Sequence, residues 1–144
     1  MLKLKDFKVT ASYKGNYTID QIVEIQKNVG YNFAPDFLYL SIFVGCIQPS
    51  NGIECSINGI ELSRTLTFVD YESDSENFKL HHDYQRKYMG FAYSSSNQVF
   101  FLMGTDLLNL NQIFLIDNNF GEPPVKVSDN IFSFFNQDLR KKYL

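Results

Sequence analysis

The sequence predicts an α+β fold: a mainly antiparallel or mixed β-sheet packed against two N-terminal helices and one C-terminal helix. Three observations predict it. Two capped segments in the first third carry apolar residues at helical spacing, and the middle carries apolar runs joined by hairpin-length turns. A last aromatic segment again reads as helix. Short consecutive connections favour antiparallel pairing over βαβ units.

Leu2, Leu4, Phe7 and Val9 alternate with lysines and Asp6, so residues 1–16 form a short amphipathic strand or a loosely attached arm. Thr18 with Gln21 is a capping box, and Asp20 sits where a helix N-terminus favours negative charge. Ile19, Ile22, Val23 and Ile25 follow at helical spacing, and Gly30 is a natural C′ residue, which predicts a helix over 18–29. Pro35 is suited to the first position of a second helix. Phe37, Leu38, Leu40, Ile42, Phe43 and Val44 cover most of its circumference, which predicts a helix buried on several sides and ended by Gly45.

Ile53, Cys55 and Ile57 alternate with polar residues, and Asn58-Gly59 is a hairpin turn signal leading into Ile60, Leu62, Leu66 and Phe68. Residues 70–90 read as a loop with a short helix around Asp83 to Met89. Phe91-Ala92-Tyr93, the apolar run 98–103, residues 112–116 and an edge segment at Val125 to Val127 read as strands. Ser128 or Asp129 caps the last helix, with Ile131, Phe132, Phe135 and Leu139 on one face and Arg140, Lys141 and Lys142 complementing its dipole. Phe100, Phe101, Phe132, Phe134 and Phe135 are expected in the core. Tyr84, Tyr88 and Tyr93 are expected as half-buried core or interface tyrosines.

The chain has 144 residues, enough for one domain with a core that needs no staples. Hydrophobic residues make up 44% and charged residues 20%, too apolar for disorder. Net charge is −3, which argues against a general nucleic-acid binder. The start, MLKLKDFK, has no apolar h-region, and the longest mostly apolar stretch is 11 residues, so the expected location is cytoplasmic, with no membrane span. Cys46 and Cys55, nine residues apart, are expected as two reduced thiols behaving as small hydrophobes.

No catalytic constellation, cofactor motif or metal motif stands out. Adjacent His81 and His82 diverge by about 100° on a helix, so with Asp83 they read as a polar surface group. GxSxG, Walker and Rossmann patterns are absent, and neither cysteine has a basic sequence neighbour to make it a thiolate. The expectation is a non-enzymatic chain.

The sharpest local feature is Asp70-Tyr71-Glu72-Ser73-Asp74-Ser75-Glu76, with acids at every second position. Extended, it would face Asp70, Glu72, Asp74 and Glu76 one way. That is a solvated acidic loop or a docking edge for a basic protein, with Tyr71 assisting; a calcium site is a third reading, against which the spacing lacks the EF-hand glycine and terminal glutamate. Residues 49–96 carry a net charge of −3, against +1 before and −1 after them.

Several strings resemble the Smi/Knr-like (SUKH) superfamily: Thr18-Ile19-Asp20 through Gly30, and Ala34-Pro35-Asp36-Phe37-Leu38. Others are Phe101-Leu102-Met103-Gly104-Thr105-Asp106 with Gln112-Ile113-Phe114-Leu115-Ile116-Asp117, and Val127-Ser128 with Ile131-Phe132-Ser133-Phe134-Phe135. Together they span about residues 17–139. Leu108-Asn109-Leu110-Asn111 replaces the family's Gly-Asp step, Asn51-Gly52 comes late, and the common tryptophan is missing. The resemblance implies one Smi/Knr-like domain and a bacterial immunity protein that binds and neutralises a cognate toxin, often a nuclease. The implied partner is then a basic toxin domain, met by Asp70, Tyr71, Glu72, Asp74 and Glu76, with no cofactor, metal, nucleic acid or membrane. A regulatory adaptor is the alternative. A small-ligand binder or enzyme, with a pocket between helix 35–44 and the sheet, is the third reading.

Overall fold

The computed structural model describes residues 1–11, 17–73, 87–94, 99–116 and 123–144. The architecture is α+β, and among the described residues every strand pairs antiparallel. Strand β1 (Phe7–Thr10) pairs with β2 (Cys46–Pro49) in a small sheet. The large sheet holds β3 (Ile53–Ile57), β4 (Ile60–Thr65), β5 (Tyr88–Ser94), β6 (Val99–Gly104), β7 (Ile113–Leu115), β8 (Val125–Ser128) and β9 (Arg140–Tyr143). Their spatial order is β8-β7-β6-β5-β4-β3-β9.

Helix α1 (Ile19–Val29) has the expected capping box: Gln21 N–H donates to Thr18 Oγ1 at 3.1 Å, and Thr18 N–H to Gln21 Oε1 at 2.8 Å. Gly30 ends it in the left-handed conformation. Helix α2 (Pro35–Tyr39) continues as a π-helix over Leu40–Val44, closed by Gly45 N–H on Leu40 O at 2.7 Å. Gly45 has φ +114°, and a Cβ there would run into the Thr10 carbonyl and sit 2.9 Å from Ala11 Cα. Only glycine lets the π-helix pass this close to β1.

Phe33, Phe37, Phe68 and Tyr71 form one aromatic cluster, and Phe91, Phe101, Phe134 and Phe135 another, with centroids 4.9–6.3 Å apart within them. Each ring removed from water contributes about 1.5–3 kcal/mol. Phe101, Phe134 and Phe135 lie in the core as expected; the Phe100 side chain lies outside the described residues.

Several expectations are corrected. Strand β4 ends at Thr65, with Leu66 N–H still donating to Phe91 O at 2.8 Å, and helix α3 (Phe68–Ser73) takes Phe68 out of the strand pattern. Residues 88 and 89 belong to β5 rather than a helix, and 83–86 lie outside the described residues. The last helix is capped by Asn130, runs Ile131–Ser133 and continues as a π-helix over Phe134–Asp138. Phe132 faces solvent because Phe134 takes the inward position. Arg140, Lys141 and Lys142 cap no helix; they form β9, an edge strand paired with β3. Helix 35–44 is buried on one side only, through Phe37, Leu40 and Ser41.

Candidate functional site

The described part of the acidic segment, residues 70–73, is helical rather than extended. Asp70 accepts from Thr67 N–H at 2.8 Å and from the Thr67 hydroxyl at 3.3 Å, closing the first turn of α3. Two residues on a helix diverge by about 200°, so Asp70 and Glu72 share no face. Arg64 grips the Asp70 carboxylate with Nη2–Oδ1 at 2.6 Å and Nη1–Oδ2 at 3.0 Å, and its guanidinium lies 4.8 Å from the Tyr93 ring centroid. Tyr71 is fully buried and donates from its hydroxyl to Gly90 O at 2.6 Å. Asp70 and Tyr71 therefore support the fold. Glu72 is exposed; Asp74 and Glu76, like His81, His82, Asp83 and Tyr84, lie outside the described residues. The sequence does carry a signal for this turn: Thr67-Phe68-Val69-Asp70 has capping-box spacing.

Beside the ion pair lies a cleft of about 320 Å³, lined by Thr10, Cys46, Gln48, Arg64, Thr67 and Asp70. Its lining comes from β1, β2, β4 and the start of α3, which is not the expected place between helix 35–44 and the sheet. Its two charges already neutralise each other. Cys46, without a basic neighbour in sequence, has Arg64 beside it in space; burial nonetheless raises its thiol pKa, outweighing the guanidinium. Cys55 is opposite Lys141 in the ladder, and burial pushes its thiol up to about 11. Both thiols are free. Among the described residues no three His, Cys, Asp or Glu side chains gather around a metal position, and no helix is long and apolar enough to cross a membrane.

The outward side of helix 35–44 is the less expected feature. A helix apolar all round is normally enclosed. Here Tyr39, Ile42 and Phe43 are 44%, 54% and 75% exposed, and the Tyr39 and Phe43 rings meet at 5.7 Å. Their places follow from packing: Phe37 and Leu40 take the core side, and the π-turn carries Ile42 and Phe43 out.

The loop 105–111 is tied to the same helix, where Asp36 N–H donates to Asn111 Oδ1 at 2.9 Å. Within the loop, Asp106 N–H donates to Asn109 Oδ1 at 3.1 Å and Leu108 N–H to Asp106 Oδ1 at 2.8 Å, and Asn109 Nδ2 ties the loop to Lys87 O at 3.2 Å. This frame holds Leu107 and Leu108 out at 95% and 92% exposure. Large apolar side chains held in water on a fixed frame mark interaction surfaces. The sequence signal for the ridge was the all-round apolarity of residues 37–44, which reads equally as burial.

No family model, curated protein or solved structure matches this chain.

Proposed function

We propose that this chain is a non-enzymatic protein-binding domain of the immunity type, which covers and neutralises a toxin domain, most simply a basic nuclease. The observation that carries the binding part is the ridge of Tyr39, Ile42 and Phe43 on a helix whose other side is fixed in the core. A neutralising protein acts by occluding another protein's surface. Exposed aromatic and aliphatic side chains on a rigid element suit the centre of such an interface. The toxin class comes from the resemblance to Smi/Knr-like proteins, and the net charge of −3 suits attraction to a basic partner. Because Asp70 and Tyr71 are engaged internally, the docking surface moves from the acidic segment to the ridge, with Glu72 the one described member of the acidic set at the surface.

The test is deletion of the gene in its own host, grown alone and beside the undeleted parent. The expected result is a growth defect that the unaltered chain restores and an Ile42→Lys/Phe43→Glu double variant, shown to be folded by circular dichroism, does not. Normal growth of the deleted strain in both settings overturns the neutralising function. Restoration by the double variant overturns the ridge as its surface.

A further inference from the structure

Residues 1–8 and 140–143 lie far apart in sequence and meet in the fold. Lys3 N–H donates to Asn136 Oδ1 at 2.7 Å, and Asn136 Nδ2 donates to Met1 O at 3.0 Å. Lys141 Nζ is 3.4 Å from Asp6 Oδ2 and 5.1 Å from the Phe7 ring centroid. The fold thereby brings the N-terminal segment carrying Lys3, Lys5 and Lys8 beside β9, which carries Arg140, Lys141 and Lys142; the two segments hold six of the 13 lysines and arginines, in a chain of net charge −3. The one acid in these segments, Asp6, is buried and already holds Lys141 and the Tyr143 hydroxyl. Lys3, Lys5, Lys8, Arg140 and Lys142 are exposed, and among the described residues none has a carboxylate at ion-pair distance.

The backbone of β9 adds a second property. It is an end strand of the large sheet. Leu144 N–H donates to Gly52 O at 2.8 Å, in the register that pairs Tyr143 with Ile53 and Arg140 with Ser56. Bonded and non-bonded pairs alternate in an antiparallel ladder. Arg140 and Lys142 therefore turn their backbone groups toward β3, and Lys141 and Tyr143 turn theirs outward. Among the described residues nothing bonds to those outward groups. Side chains alternate as well. Lys141 shares the face of buried Cys55, so Arg140 and Lys142 stand on the opposite, solvent face, with Glu54 of β3 across from Lys142.

We propose that this edge accepts an extended acidic segment of another polypeptide as an eighth strand beside β9. The outward N–H and C=O groups of Lys141 and Tyr143 bond its backbone, as in other strand-addition complexes. Its alternate carboxylates meet Arg140 and Lys142, and Lys3, Lys5 and Lys8 speed the encounter. A second copy of β9 is a poor occupant, because edge-to-edge pairing sets cations against cations. A polyphosphate could use the charges but has no backbone for the ladder. The proposal uses different residues from the ridge and stands independently of the neutralising function.

The test is a titration of the isotope-labelled full chain, followed by amide NMR and hydrogen exchange. The probes are a synthetic peptide of alternating Glu and Val or Thr, its Lys counterpart, an N-methylated acidic version, and a single-stranded oligonucleotide of matched charge. The expected result is that the unmethylated acidic peptide binds tightest and slows exchange of the Lys141 and Tyr143 amides. Arg140→Glu/Lys142→Glu should weaken it on the order of tenfold, and Lys3→Glu/Lys5→Glu should mainly slow its association. Equal binding of the N-methylated peptide overturns the added strand. Equal or tighter binding of the oligonucleotide makes the corner a phosphate surface and overturns the polypeptide occupant. No binding by the acidic peptide overturns the proposal outright.

Discussion

Arg64 holds both carboxylate oxygens of Asp70, at 2.6 and 3.0 Å, while the same carboxylate closes the first turn of α3 through Thr67 N–H at 2.8 Å. One side chain thus joins the end of β4 to the start of α3. Removing it opens the cap and leaves a half-buried guanidinium without its partner. Asp70→Ala should lower the unfolding free energy by about 2 kcal/mol, combining a lost cap with lost charged hydrogen bonds. In an Arg64→Met background the same change should cost only the cap, about 1 kcal/mol. Urea unfolding of the four proteins measures the difference; equal losses in both backgrounds would show that the ion pair contributes nothing.

Gly45 and Gly30 both have positive φ, at +114° and +87°, but their surroundings differ. Nothing lies within 4 Å of a Cβ built at Gly30, whereas one at Gly45 strikes the Thr10 carbonyl. Gly30→Ala should cost only the left-handed backbone penalty, about 1–2 kcal/mol. Gly45→Ala should cost at least about 3 kcal/mol, since β1 and the π-helix must also separate. Thermal and chemical unfolding give the comparison, and equal losses would place the close approach elsewhere.

Tyr31 and Tyr71 share a hydrogen bond inside the core, where burial raises the Tyr31 hydroxyl from its ordinary 10.0 to about 12 and raises Tyr71 as well. The sign follows from linkage. The unfolded chain ionises these groups near the ordinary value, and the folded chain keeps them neutral to higher pH. Their stabilising contribution is complete below about pH 10 and is lost as pH rises toward 12. Tyr31→Phe should flatten this alkaline loss in unfolding experiments run across that range. Phenolate absorbance should show Tyr31 and Tyr71 ionising late; a single early transition for all tyrosines would contradict the arrangement.

Local chemistry was legible where one residue determines one turn. Thr18, Gly30 and Asn58-Gly59 set α1 and the β3–β4 hairpin as their patterns predict, with φ of +50° and +80° at Asn58 and Gly59. Legibility failed where tertiary packing chose between two local readings. Arg140, Lys141 and Lys142 suit a helix C-terminus, but Leu139 ends the π-helix in an extended conformation and the Ile53–Ser56 edge recruits the next four residues as a strand. The alternating acids 70–76 suit an extended edge, but the Thr67–Asp70 cap and the burial of Tyr71 impose a helix on residues 70–73. The basic corner was invisible to a count by thirds, because its charges come from both the first and the last third and meet only in the fold.

The ridge gives the sharpest contrast between neighbours. Phe37 is fully buried and packs on Phe33, Phe68 and Tyr71, whereas Phe43, six residues later, is 75% exposed. Phe37→Ala should cost about 3–5 kcal/mol, the loss for an aromatic ring whose cavity cannot collapse. Phe43→Ser and Ile42→Thr should each change stability by no more than about 0.5 kcal/mol, because solvent already surrounds most of both side chains. Denaturant titration of the three variants under one set of conditions decides the matter. If Phe43→Ser destabilises the chain as strongly as Phe37→Ala, Phe43 belongs to the core and its exposure gives no reason to expect a partner there. If stability is unchanged, folding does not account for an aromatic ring held in water, and a bound surface is left as its physical rationale.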